Sequence, residues 1–409
     1  MLERNRQRAI ELIGGRVANA PNGDLTAAAP PVPSAPPAIG TTKTWYDNFS
    51  APANKYTAAV RISCRLPSSR NAVFWVDTSG PAIDVQPFSA AFCGETGGYA
   101  RVTALLGDVW GPATRANPGA LITDAPGLQN LNIVFLNVPP GTGWGGYFGD
   151  INNFRRNSTD LKTSNESLAF FINAPDVSSG LNYYLSTLLH ELTHMVNFYQ
   201  RAVKRGVAHD TWLEETSAMM TEDIVVPAVV SSGYSNIADQ RVAPYLASGG
   251  DVSLVNWPEL SAPHYSMGGS LGAFLDRRYG VRMYQGIISC DASRAPPSYG
   301  CVDSLIKQFG GKGFGDESAR FAATIFAELP PGSPLDFGYP LVSNASYTMK
   351  PIDMAPFAAQ RPDIASPLGD TFPATSHTYS IGTIGPGTTQ LVATGIKIPP
   401  HSAMVLVIK

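Results

Sequence analysis

Leu185, Leu188, Leu189, Leu192, Met195, Val196 and Tyr199 recur at spacings of three and four, the apolar stripe of a helix packed on a core. They predict a helix from about Leu181 to Gln200. A second helical segment runs from Trp212 to about Ile224. A third, apolar from Leu271 to Leu275, closes on Arg277-Arg278-Tyr279-Gly280, with Gly280 placed as a helix C-cap. Further helices are expected near Val302 to Phe309 and Asp316 to Glu328. Tyr56 to Leu66 and Asn71 to Asp77 gather β-formers around Pro67-Ser68-Ser69-Arg70 and predict a hairpin. Asn130 to Val138 and Ser167 to Asn173 are short apolar runs suited to buried strands. Past Pro330 the pattern changes: Pro, Gly, Ser and Thr punctuate short β-rich runs at His377 to Ile381, Thr389 to Thr394 and Met404 to Ile408, spacings that suit a small β-sandwich.

These patterns divide the chain. Ala27 to Gly40 is a proline-rich tract that cannot pack a core, so residues 1–42 are expected to be a disordered or pro-segment. A β-rich N-terminal region over 43–125, a catalytic domain over 126–330 and a β-sandwich-like domain over 331–409 follow. The length, 409 residues, is ample for such a division. Within the catalytic part, Pro139 to Phe154 carries five glycines with Trp144, Tyr147 and Phe148. It lacks the spacing of a phosphate loop. It reads as an irregular excursion, either a plain surface loop or one whose aromatic side chains contact substrate.

Composition narrows the function classes. A net charge of -3 without a long basic run makes no electrostatic case for nucleic acid. No stretch approaches the ~18 apolar residues of a membrane span. Only 15% of residues are charged, while Gly (39) and Pro (34) are abundant, a balance that suits a loop-rich extracellular protein. Four cysteines fall into two local pairs. Spacing favours Cys64 with Cys93 and Cys290 with Cys301, although three connectivities are open. None lies in a C-x-x-C pattern, so structural disulfides of a secreted chain are expected, with buried free thiols as the alternative. No signal peptide is visible: Arg4, Arg6 and Arg8 lead only into a short stretch interrupted by Glu11.

The chemistry lies at His190-Glu191-Leu192-Thr193-His194, inside the first helix. Two histidines four apart share a helix side, so both imidazoles can converge on one metal ion. Glu191, between them, is placed to take a proton from a metal-bound water and return it to the leaving group. A catalytic zinc needs a third protein ligand. Glu214 and Glu215, one short connection downstream in Trp212-Leu213-Glu214-Glu215-Thr216-Ser217-Ala218, supply carboxylates that can reach back. The plainer reading of the two is an exposed acidic pair favoured by the helix dipole.

Here the chain resembles the gluzincin metallopeptidases, whose third ligand is a glutamate on the next helix. By that match Glu215 is the ligand, and Glu214 stands where the family often has asparagine. Within the gluzincins, His190 to Tyr199 together with Trp212 to Ala218 look most like the hyicolysin family of secreted bacterial peptidases. The resemblance covers about Asn130 to Gly280. It implies an α+β fold with a zincin-type, thermolysin-like catalytic domain flanked by the β-rich regions. It further implies that the strand before the metal helix, Ser167 to Asn173, lines the cleft, with substrate adding beside it as an extra strand. Related enzymes direct a tyrosine or histidine at the oxyanion; Tyr265 is the match, with His264 as competitor. One departure is that the thermolysin pattern has an aspartate four residues after the glutamate ligand, to orient the first histidine, where this chain has Met219. Glu222 or a backbone carbonyl is the candidate to replace it.

The expectation is therefore a secreted zinc endopeptidase acting on protein or peptide substrates. His190, His194 and Glu215 bind Zn2+, and Glu191 and Tyr265 carry the catalysis. The alternatives are an adhesin or haemagglutinin-type binding protein with a vestigial metal site, and a zinc hydrolase of non-peptide amides. A Ser-His-Asp hydrolase is disfavoured: Gly268-Gly269-Ser270-Leu271-Gly272 fits G-x-S-x-G, but no strand is expected before it to make the strand-to-helix turn that a nucleophile there needs.

Overall fold

A computed structural model describes residues 32–408 except 51, 113–118, 125–126, 158, 160, 176, 178–179, 231–232, 258–260, 291–296, 335, 363–374, 380, 391, 393–397 and 399–400. Most of the expected pro-segment, residues 1–31, lies outside the described residues. The chain divides into two units, Met1–Ala208 with Val225–Tyr234, and His209–Ile224 with Ser235–Lys409. Helix and sheet are mixed, as the α+β expectation requires.

In the first unit the elements are β1 (Val32–Pro33), β2 (Thr42–Asp47), β3 (Asn54–Arg65), β4 (Asn71–Asp77), α1 (Gln86–Phe92), α2 (Gly98–Leu106), β5 (Gly127–Leu128), β6 (Leu131–Leu136), β7 (Gly146–Phe148), β8 (Leu168–Asn173) and α3 (Leu181–Asn197). Six strands form one sheet in the order β2-β3-β4-β6-β8-β7. Turn residues between β3 and β4 make the expected hairpin, and an irregularity between Val60 and Ile62 adds a bulge to β3. The next two neighbours, β4 with β6 and β6 with β8, are parallel. Parallel strands need a crossover, and α1 and α2 lie in the first of these. Every residue of β6 and β8 is buried, which explains why both read as unbroken apolar runs.

One sheet face carries Trp45, Val60, Val73, Trp75, Val134, Leu136 and Phe171. On the other, Phe92 meets Phe74 and Phe170, and Phe88 meets Phe135, edge to face or tilted. α2 is tight on α3 because Gly98 has no side chain there: an added Cβ would stand 2.4 Å from Leu189 Cδ2. β4 and β6, on either side of residue 125, are hydrogen-bonded neighbours in one sheet. Short apolar runs announce strands, but their neighbours are set by contacts distant in sequence.

The second unit holds α4 (Thr211–Ile224), α5 (Ala243–Ser248), α6 (Ala262–Tyr279), α7 (Val281–Ser289), α8 (Pro297–Gln308), α9 (Phe314–Phe326) and a minimal hairpin of β9 (Val342–Ser343) and β10 (Thr348–Met349). α6 ends on Gly280, which adopts φ 72° and donates its N–H to Asp276 O at 2.7 Å. The expected strands at His377 to Ile381, Thr389 to Thr394 and Met404 to Ile408 are not formed at their described residues. A strand needs ladder partners, and Leu406 and Ile408 are each 63% exposed. Disulfides join Cys64 to Cys93 and Cys290 to Cys301, the pairing that spacing favoured.

Candidate metal centre

α3 is built around its apolar stripe: Leu188, Leu189, Leu192, Met195 and Val196 are all at most 1% exposed. The hydroxyls of Thr187 and Thr193 are absorbed locally, donating to Tyr183 O and Leu189 O. His190, Glu191 and His194 lie off that stripe and are nevertheless buried. The two imidazole rings stand 4.8 Å apart, centroid to centroid, at 76°. This is the arrangement that i, i+4 spacing on a helix produces.

α4 supplies the carboxylate. Trp212 and Leu213 anchor it in the core, and Thr216 and Ser217 return their hydroxyls to Trp212 O and Glu214 O. Glu215 is buried, as is Glu214, which removes the reading of an exposed acidic pair. One ligand atom each from His190, His194 and Glu215 lies within 4.8 Å of the others. Buried histidine and carboxylate donors, three in number, suit a divalent ion that keeps a further position open. Glu214 is outside that group.

Two ion pairs hold the end of α4 beyond Glu215. Glu222 accepts from Arg241 Nη2 at 2.9 Å and Nε at 3.1 Å, and from Asn236. Asp223 pairs with Arg277, which also donates to Ala273 O and Lys350 O. The carboxylate considered for orienting His190 is thus held by a guanidinium and an amide. Met219, where the thermolysin pattern has aspartate, is fully buried.

Tyr265 and His264 occupy the first turn of α6, each with its ring centroid 5.3 Å from that of Trp257. The Arg241 guanidinium lies 5.9 Å over the Tyr265 ring, and His264 Nδ1 is 2.6 Å from Ser261 Oγ.

The Gly-rich excursion contributes a strand, which sequence reasoning missed. Trp144, Tyr147 and Phe148 are buried, at most 8% exposed, which removes the reading of a plain surface loop. Tyr147 stacks on Phe171 at 4.8 Å and donates to Asp47 Oδ1 at 2.9 Å. β7 lies antiparallel to β8 and ends the sheet. This corrects the cleft strand implied by resemblance: β8 has β6 on one side and β7 on the other, so its backbone offers no free edge there. The register pairs Gly146 with Ile172, and Asn173 N–H donates to Gly145 O at 2.9 Å. Alternation along an antiparallel ladder therefore turns the backbone N–H and C=O of Gly146 and Phe148 away from β8, toward the sheet edge. Five glycines in a short span signalled irregular backbone, and only the pairing with β8 marks three of its residues as a strand.

No helix among the described residues is long and apolar enough to cross a membrane. Compared with known proteins, the chain matches the profile of the Peptidase M30 family over residues 55–409, more of the chain than the Asn130 to Gly280 of the resemblance. Comparison with curated proteins finds no match.

Proposed function

The chain belongs to the peptidase M30 family, the hyicolysin family of metallopeptidases, and from that premise we propose that it is a secreted, zinc-dependent endopeptidase of the gluzincin type. The observation that carries this reading is the buried group of His190, His194 and Glu215, with ligand atoms within 4.8 Å of one another. Two histidines and one glutamate make the ligand set of a catalytic zinc with an open position. Bound there, the ion would polarise the scissile carbonyl and lower the pKa of water from ~15.7 toward ~7.

The chain's own groups do the rest. Glu191, one residue from His190 on the same helix, takes the proton of the attacking water and delivers it to the leaving amine. Tyr265 donates a hydrogen bond to the oxyanion, an interaction whose loss typically costs about 10²–10³ in turnover. The outward backbone groups of Gly146 and Phe148 accept an extended substrate as a further strand. Main-chain pairing of this kind binds many sequences and leaves selectivity to side-chain pockets. Two disulfides support export to an oxidising compartment.

The test is metal content by mass spectrometry with casein hydrolysis, with and without chelator, for wild type and Glu191→Gln. One zinc per chain and chelator-sensitive cleavage that the variant lacks is the expected result. Zinc without cleavage would point to a non-peptide substrate, and absence of zinc would overturn the reading.

A further inference from the structure

β7 and α3 come together at glycine. Gly146 does not occupy the left-handed region, so its backbone conformation does not call for glycine. Space does. A Cβ at this position would stand 2.6 Å from Thr187 Cγ2, 3.1 Å from Glu191 Cγ and 3.1 Å from Phe171 O. The first distance is one that a Cβ essentially never shows to a non-bonded atom, and the other two demand that a neighbour give way. Phe171 O belongs to the backbone of β8 and Thr187 to a buried turn of α3. Of the three, Phe171 O is backbone, so the Thr187 and Glu191 side chains are the ones that must move.

The strand on which Gly146 sits is itself held. Behind it Tyr147 is buried against Phe171 and Trp144 and tied by its hydroxyl to Asp47. Asn48 N–H donates back to the same hydroxyl at 3.1 Å. Ahead of it Phe148 packs on Phe198, just past the end of α3. β7 is therefore fixed from the core side, and its bare Cα forms a wall along the methylenes of Glu191.

We propose that Gly146 is a positioning residue for the general base: its missing side chain sets the conformation in which the Glu191 carboxylate is carried beside His190 and His194. The inference rests on the peptidase reading for its catalytic consequence, but the contact itself does not. A base acts only within hydrogen-bond reach of its proton, and displacement by about 1 Å can cost on the order of 10²-fold in rate. A smaller shift, of the size one methyl imposes, is expected to cost about 10-fold.

Neighbouring side chains provide the controls. Gly145 is on the same strand end, and a Cβ there would crowd Tyr183 Oη at 3.1 Å and Cε1 at 3.2 Å, with Glu191 absent from its nearest contacts. Gly145→Ala thus perturbs the same strand without reaching the base. Thr187→Ser removes the methyl that Gly146→Ala strikes hardest and keeps the hydroxyl that donates to Tyr183 O.

The experiment uses the full chain and compares wild type, Gly145→Ala, Gly146→Ala and Gly146→Ala/Thr187→Ser for metal content, thermal midpoint, and kcat and KM on a casein-derived fluorogenic peptide. All four are expected to hold the same metal. Thr187→Ser should recover most of the midpoint that Gly146→Ala loses, while kcat stays about 10-fold down with KM within about twofold. Gly145→Ala should keep wild-type kcat. Recovery of kcat along with the midpoint, or an equal loss of kcat in Gly145→Ala, overturns the proposal. The contact is read without turnover in a double-mutant cycle: Gly146→Ala should lower the midpoint less in a Glu191→Ala background than in wild type. Equal lowering overturns the proposal whatever the activity. A wild-type chain that holds no metal or cleaves no peptide overturns the peptidase reading instead, with the cycle still deciding the contact.

Discussion

At the scale of residues, burial decides which charges matter. Glu215 belongs to a buried set of three donors that, among the described residues, could hold a metal ion. Glu215→Ala is expected to weaken metal binding by more than the roughly 10–100-fold that loss of an outer partner costs. Dialysis followed by metal analysis checks it, with wild type retaining its ion. Asp276 is the opposite case. It is fully buried in α6, and both carboxylate oxygens lack a hydrogen-bond partner. Burial, and then the nearby Asp223, push its pKa well above the ordinary value, against the pull of Arg277. A raised folded-state pKa means that its contribution to stability is present below the unfolded value, near pH 4, and is lost as pH rises toward the folded value. Asp276→Asn, which mimics the neutral acid, is therefore expected to raise the thermal midpoint at pH 7, with the gain shrinking to nothing as pH falls to about 4. Melting curves across pH check the sign. Position 276 was invisible in the sequence because Asp276 lies within a helical segment beside two arginines and looks solvated. Glu215 was singled out from Glu214 by the resemblance to the gluzincins, while the residues alone left the two side by side.

At the scale of elements, α4 sits where it does because α6 is thin on the facing side. Cβ atoms added at Gly268 and Gly272 would meet Thr216 Oγ1 and Met220 Cγ, each at 2.9 Å. Thr216 and Met220 follow Glu215 along the helix, one and five residues on. Gly272→Leu is expected to destabilise the chain by about 1–3 kcal/mol through overpacking and to loosen the metal by shifting Glu215. A lower thermal midpoint and faster metal loss to chelator would be the measured result; unchanged metal retention would separate the ligand from this packing. The element α3 was legible almost to its ends, since the predicted helix from Leu181 to Gln200 appears as Leu181–Asn197 continuing into a wider π turn, Phe198–Val203. β7 was not. Its three residues show no alternation long enough to count, and glycine weakens any strand signal. The C-terminal runs erred in the other direction: apolar patterning was present, but their described residues pair with no strand.

At the scale of the whole molecule, two disulfides brace segments that differ in loop length. Cys64–Cys93 spans a separation of 29 residues and Cys290–Cys301 one of 11. In the chain-entropy account these contribute about 3.6 and 2.8 kcal/mol respectively. Replacing both cysteines of a pair by serine is expected to lower stability more for Cys64 and Cys93 than for Cys290 and Cys301, and denaturant unfolding orders them. The sequence by itself determined everything that follows from local periodicity: the metal helix, the placement of His190, Glu191 and His194 on it, the carboxylate on the next helix, the hairpin of β3 and β4, and the C-cap at Gly280. Hydrogen bonds along a helix and across a tight turn close within a few residues, so the pattern alone carries them. Tertiary structure decided which strand is the sheet's edge, that the aromatics of 144–148 face the core, and that a glycine abuts the proposed base. Those facts depend on pairing between segments far apart in the chain, where an apolar run records that it is buried but not by what.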